Sequence, residues 1–181
     1  MPIRIVITGA PGSGKTELMN RLQADPRFGD FVFLEELARK LLRENPAYRA
    51  DRAAFHVAIY HRQVARESAL KDKPFITDRG TADAFAFHPE TRDDVGTTLA
   101  AEYARYTSVI QLESSAALGE EYYSGDEVRR EPIDDALAIE QAIREVWKGH
   151  PDYHFIRANR DMEAKLKRII EVLDGCVERT T

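Results

Sequence analysis

The sequence predicts an α/β domain, a parallel sheet with helices on both faces, and three observations carry that expectation. Short β-branched or apolar runs alternate with helical periodicity five times along the chain. The first run, Ile3 to Thr8, ends at a glycine and reads as a strand buried in a parallel sheet. No internal repeat or low-complexity linker interrupts the 181 residues, a length that suits one domain spanning 1–181 and is too short for two comfortable ones.

Each element follows from its pattern. After the strand Ile3 to Thr8, helical periodicity starts at Lys15, with Leu18, Met19 and Leu22 on one face. Phe31 to Leu34 is a second short strand. It passes into a helix with Leu37, Ala38, Leu41 and Leu42 inward, which stops near Asn45-Pro46 because proline cannot continue it. Asp51 is placed to N-cap a long helix through about Leu70, with Phe55 and Ile59 on its apolar stripe. Lys73 to Asp78 is the third strand, followed by Arg79-Gly80 and a helix. Val95, Leu99, Tyr103 and Tyr106 mark a further helix, and Thr107 to Leu112 the fourth strand. The stretch from Glu113 to Pro132 is polar and lacks periodicity. Ile139, Ile143, Val146 and Trp147 then define a helix, Tyr153 to Ile156 a fifth strand, and Met162, Leu166, Ile169, Ile170 and Leu173 the last helix.

Composition removes several classes. At 43% hydrophobic residues the chain can build a full core, so disorder is not expected. A formal charge of -5 argues against a general nucleic-acid surface, though not against a local basic patch. One cysteine, Cys176, allows neither an intramolecular disulfide nor a zinc cluster of several cysteines, and it reads as structural. The N-terminal apolar run is too short for a signal peptide, and no stretch approaches the ~20 apolar residues of a membrane span. A cytoplasmic protein is expected.

The chemistry begins at Gly9-Ala10-Pro11-Gly12-Ser13-Gly14-Lys15-Thr16, a complete G-x-x-x-x-G-K-[ST] between a strand and a helix. Glycines let the backbone wrap a polyphosphate and point its N–H groups inward, and the following helix adds the positive end of its dipole. The pattern implies a nucleoside triphosphate with Mg²⁺: Lys15 reaches the β- and γ-phosphates, and the Thr16 hydroxyl ligates the metal. A chance glycine-rich turn does not explain the flanking strand and helix.

Other residues discriminate among branches of this class. A guanine reader would need Asn-Lys-x-Asp after a late strand; Asn159-Arg160-Asp161-Met162 misplaces the aspartate and reads as a capped helix start. The base is expected near the loop Arg157 to Asp161, with Asn159 a candidate contact, but nothing there chooses adenine over guanine. Asp78, ending an apolar strand, suits the magnesium shell, and Arg79 behind it suits the phosphoryl acceptor or its phosphate; the alternatives are a strand-end turn and a structural ion pair. Arg129 and Arg130 could close over the phosphates as part of a lid at about 113–132, or lie on a solvated face. Glu36 and Arg39 follow the second strand, where ligands meet the carboxyl ends of parallel strands. Glu36 is the candidate base or acceptor-hydroxyl ligand, with Glu35 next door an equal contender. Gln63 and Glu67 continue the Phe55–Ile59 line, either toward a substrate pocket or toward solvent; Asp83 is a further pocket candidate. His56 and His61 read as surface or core histidines.

Together, Gly9–Thr16, Glu36-Leu-Ala-Arg39, Asp78-Arg79-Gly80-Thr-Ala-Asp83 and Val128-Arg129-Arg130-Glu131 resemble the AAA-type P-loop ATPase/kinase family related to the nicotinamide riboside kinase domain of NadR, over Ile3 to about Leu173. The resemblance implies a three-layer α/β/α P-loop fold with sheet order 2-3-1-4-5 and Mg-ATP as phosphoryl donor. It leaves the acceptor open. A kinase acting on a small, nucleoside-like hydroxyl acceptor is expected first. A nucleotide-dependent switch or weak ATPase or GTPase acting through a protein or lipid partner is the alternative.

Overall fold

The computed structural model describes residues 2–123 and 132–180. Arg129 and Arg130, and part of the expected lid, therefore lie outside the described residues.

Among the described residues, five strands form one all-parallel sheet: β1 (Arg4–Gly9), β2 (Val32–Leu34), β3 (Phe75–Asp78), β4 (Ser108–Leu112) and β5 (Tyr153–Ile156). Their order is β2-β3-β1-β4-β5, the order that the family resemblance implies. Alternation along β1 explains why both faces need cover. Ile5 and Ile7 belong to one core and Val6 to the other, and all three are fully buried.

Helices on each face complete the three-layer α/β/α build of a P-loop fold. On one side α1 (Lys15–Ala24) and α8 (Met162–Thr180) bring Leu18, Leu22, Leu166, Ile169 and Leu173 onto Ile5, Ile7, Ile76 and Ile110. Cys176 is buried in the same core. On the other side α3 (Arg52–Ala69), α4 (Asp83–Phe87) and α7 (Ile133–Trp147) bring Tyr60, Phe85, Ile143 and Trp147 onto Val6, Phe75 and Val109. None of the described helices is long and apolar enough to cross a membrane.

Local chemistry sets the boundaries. After β2 comes α2 (Ala38–Glu44); it ends at Asn45, whose side chain accepts from the Ala47 N–H as Pro46 opens a 3₁₀ turn. Asp51 caps α3 by accepting from the Ala54 N–H at 2.9 Å. Two details depart from the sequence pattern. The helix expected over Val95 to Tyr106 is split into α5 (Thr91–Asp94) and α6 (Leu99–Tyr103). Gly96, at φ 67°, turns the chain left-handed between them, and Thr98 caps the second piece through the Ala101 N–H. On α3 the buried stripe is His56, Tyr60, Gln63 and Glu67, one position round from the expected Phe55–Ile59 line. Phe55 and Ile59 line a cavity instead.

Candidate functional site

Parallel strands end at one edge, and the sheet order puts β1, which leads into the glycine loop, directly beside β3. The register sets Ile7 of β1 opposite Asp78, so the loop opens two residues past the β3 carboxylate.

The loop is held from outside. Pro11 O accepts from Ser114 Oγ at 2.5 Å, Gly12 O from the Ser115 N–H at 3.0 Å, and Ser13 O from Lys165 Nζ at 2.9 Å. In a trans peptide plane the N–H points opposite to its carbonyl, so the amides of Gly12 and Gly14 are directed away from these tethers. The Ser13 amide closes a turn on Ala10 O at 3.2 Å. Among the described residues no side chain caps α1, which leaves its N-terminal donors and dipole available to an anion. Gly9 must be glycine for space: a Cβ there would stand 2.5 Å from Leu112 O. Lys15 is buried and donates from Nζ to Gly9 O at 2.9 Å. Ser13 Oγ is buried with no hydrogen-bond partner among the described residues. A loop of donors with a spare buried hydroxyl is built for phosphate oxygens.

Asp78 is 8% exposed, and its Oδ1 has no partner among the described residues. Burial pushes its carboxyl up, Lys15 and Arg79 oppose that rise, and Glu36 and Asp83 add to it. Thr16, Asp78, Glu35 and Glu36 line one cavity of about 580 Å³. An orphaned carboxylate oxygen, a hydroxyl and further carboxylates form the hard oxygen set that fits Mg²⁺.

A second cavity, of about 590 Å³, opens on the same groups and brings together Lys15, Glu36, Arg39, Gln63, Asp78, Arg79 and Asp83. Its remaining wall is largely apolar and aromatic, with Leu37, Tyr48, Phe55, Ile59, Phe87 and Ile139. Glu36 lines both cavities, Glu35 only the first.

Arg79 is the strained residue of the site. Its φ of 72° is left-handed, a conformation that non-glycine residues rarely adopt. Five contacts hold it there. Its N–H donates to Ile7 O at 2.9 Å, and its carbonyl accepts from Thr77 Oγ1 at 2.8 Å and Gln63 Nε2 at 3.2 Å. Its guanidinium lies 4.9 Å from the Phe87 ring centroid and 3.6 Å from Asp83. Asp83 in turn is engaged by Thr8 Oγ1, by the Gly80 N–H at 2.8 Å and by Trp147 Nε1 at 3.2 Å. Asp83 thus positions Arg79 with a carboxylate that is already bonded. Gln63 is committed too: its amide serves Thr77, Glu67 and Arg79, and its Oε1 accepts from Arg66.

Two candidates are placed elsewhere. Glu67 is buried and lines neither of these two cavities, accepting from Tyr106 Oη at 2.8 Å and Arg105 at 3.0 Å. Asn159 lines a separate cavity beside β5 and α8, where its Oδ1 accepts from the Asp161 N–H. Asp161 caps α8, as its sequence context suggested, accepting from the Glu163 and Ala164 N–H groups at 3.0 and 3.2 Å.

Some site residues carried little sequence signal. Ser114, whose N–H donates to Glu140 Oε2 at 2.6 Å, stands in a polar stretch with nothing to mark it. Lys165 did leave a trace, a cation four residues before Ile169 on an apolar helix face. It is 4% exposed and donates to Glu113 O at 2.8 Å as well as to Ser13 O; burial pulls its amine down to about 8, with Glu113 and Glu140 opposing.

A three-layer sheet of this order, with such a loop at its carboxyl edge, defines a P-loop nucleotide-binding protein. The comparison with family models agrees and is more particular: the model described as an AAA domain matches residues 4–165, and the chain belongs to that family. No curated protein matches the chain.

Proposed function

We propose that the protein is a small-molecule kinase that moves the γ-phosphoryl group of ATP to a hydroxyl of a nucleoside-like acceptor. The observation that carries this reading is the cavity of about 590 Å³ shared by Lys15, Glu36, Asp78 and Arg79 and walled by aromatic side chains. Hydrolysis would need room only for water beside the phosphates. A partly open cleft of this size, lined mainly by apolar groups, fits an organic acceptor laid against the end of the triphosphate.

The residues then take these roles. The loop Gly9–Thr16 binds the polyphosphate, with Lys15 on its β- and γ-oxygens. Thr16 and Asp78 would hold Mg²⁺, which supplies charge neutralisation on the transferring group. Glu36 takes the proton of the acceptor hydroxyl as its oxygen bonds to the γ-phosphorus, and the bond from that phosphorus to the bridging oxygen breaks to leave ADP. Arg79, and the lid arginines Arg129 and Arg130, would stabilise charge on the transferring oxygens. Arg39 lines the acceptor side, and Asn159 would approach the ATP base. The setting would be the cytoplasm.

The test is ADP formation from Mg-ATP with a panel of nucleosides, nicotinamide riboside and small sugars, with Lys15→Ala as the blank. An acceptor that raises turnover about a hundredfold over water, roughly 2.7 kcal/mol of barrier, upholds the reading and names the substrate. Basal turnover with every acceptor, while nucleotide still binds, sinks it and points to a switch acting through a protein or lipid.

A further inference from the structure

We propose that His56 reads the acceptor, hydrogen-bonding the polar edge of a heteroaromatic base held among the aromatic walls of the cavity shared by Lys15, Glu36, Asp78 and Arg79. This rests on the kinase reading only in taking that cavity as the acceptor's.

His56 projects from α3 into the cavity wall and is 7% exposed. Its ring is fixed by packing. Phe87 lies parallel to it at 6.0 Å and 2°, His88 stacks at 5.7 Å and 15°, and Phe55 tilts against it at 5.2 Å. Yet its Nδ1 is buried with no hydrogen-bond partner among the described residues. Buried polar atoms are nearly always paired, so an orphan held rigidly in a cavity wall marks the place of a ligand's polar group.

The other buried polar groups of the wall cannot do this work. The Gln63 amide and the Asp83 carboxylate are spent on neighbouring protein atoms, so neither has its ordinary capacity left for a base. Lys15, Glu36, Asp78 and Arg79 belong to the phosphoryl-transfer end. Arg39, Arg49 and Arg52 lie at the exposed rim, where Arg52 donates to Phe87 O at 3.0 Å.

Chemistry narrows the ligand. Burial, aided by the positive charge of Arg52 and by His88, pulls the His56 imidazole down to about 4, so near neutral pH it is uncharged. A neutral imidazole offers one donor and one acceptor, which suits an amide or amine edge and gives no attraction to an anion. Phe55 and Phe87, which pack against His56 and line the same cavity, favour a flat ring. The ligand class is a nucleoside whose base carries an amide or exocyclic amine.

The direct experiment is long-range ¹H–¹⁵N NMR of the histidine rings in the full chain saturated with Mg-ADP, titrated with nicotinamide riboside, adenosine and cytidine, and with ribose as the baseless control. His56→Phe, which keeps a ring in the stack, assigns the His56 signals. A nucleoside is expected to move the His56 Nδ1 resonance where ribose does not, and H56F to weaken that nucleoside's Kd by about tenfold or more. A nucleoside that binds without moving either His56 nitrogen overturns the proposal, as does failure of all three to bind. Because these readings are made on the wild-type chain, they stand even where H56F folds poorly. The kinase reading fails separately: nucleoside binds and shifts His56, but no ADP forms from Mg-ATP.

Discussion

Arg79 shows how a single residue can carry strain for the sake of placement. A left-handed backbone at a non-glycine residue costs on the order of 1 kcal/mol, and here it turns the guanidinium into the cavity beside Asp78. Arg79→Gly removes that strain along with the stacking on Phe87. Its urea unfolding free energy is expected to stay within about 1 kcal/mol of wild type, while acceptor-dependent turnover falls about a hundredfold. A large loss of stability instead would assign Arg79 to the fold. The ring of His56 supplies a second expectation. Its folded pKa of about 4 lies below the ordinary 6.5, so between those values the unfolded chain binds more protons. Stability is therefore fully present above pH 6.5 and is lost as pH falls toward 4. The groups facing the ring are Arg52 and Phe55 on its own helix and Phe87 and His88 at the end of α4. Urea midpoints from pH 4.5 to 7.5 should fall more steeply on the acid side for wild type than for His56→Phe. Parallel profiles would show that His56 does not titrate in this range. The residue types at these positions were visible in the sequence, but their engagement was not. Gln63 and Asp83 looked like ligand contacts and are bonded to protein atoms, whereas His56 looked inert and keeps an unused nitrogen.

Elements hold the phosphate loop more than the loop holds itself. The turn after β4 takes two of its carbonyls and α8 takes a third through Lys165, so two distant segments fix one backbone curve at three points. Lys165→Met keeps the length and the apolar stem but strips donors from Ser13 O and Glu113 O. Calorimetry should show a loss of about 2–4 kcal/mol in stability together with weaker Mg-ATP binding. Stability lost with unchanged nucleotide affinity would mean that the loop keeps its curve without the brace. Element boundaries were legible where local chemistry decides them, as at Asp51 capping α3 and Pro46 ending α2. The split of the helix over Val95 to Tyr106 was missed because its apolar spacing continues across Gly96, while the backbone turn there does not depend on that spacing.

At the scale of the whole molecule, the sheet order gathers the phosphate loop, the Asp78 carboxylate and Glu36 at one edge, from segments up to 70 residues apart. Metal dependence belongs at this scale, since Thr16 comes from the start of α1 and Asp78 from the end of β3. Chelation of Mg²⁺ with excess EDTA is expected to abolish ADP formation and lower ATP affinity by tenfold or so, measured by titration calorimetry. Undiminished turnover in EDTA would remove Asp78 from a metal role. The sequence by itself determined the class of fold and the phosphate loop, because β-branched runs, helical periodicity and the G-x-x-x-x-G-K-T spacing are local properties of the backbone and its solvent. Only the tertiary structure decided which polar side chains are free. A hydrogen bond between α3 and β3, or between α8 and the loop after β1, joins residues whose separation along the chain carries no information about their meeting. Packing brings them together, and packing therefore leaves Asp78, Ser13 and His56 with buried atoms that no other described residue satisfies.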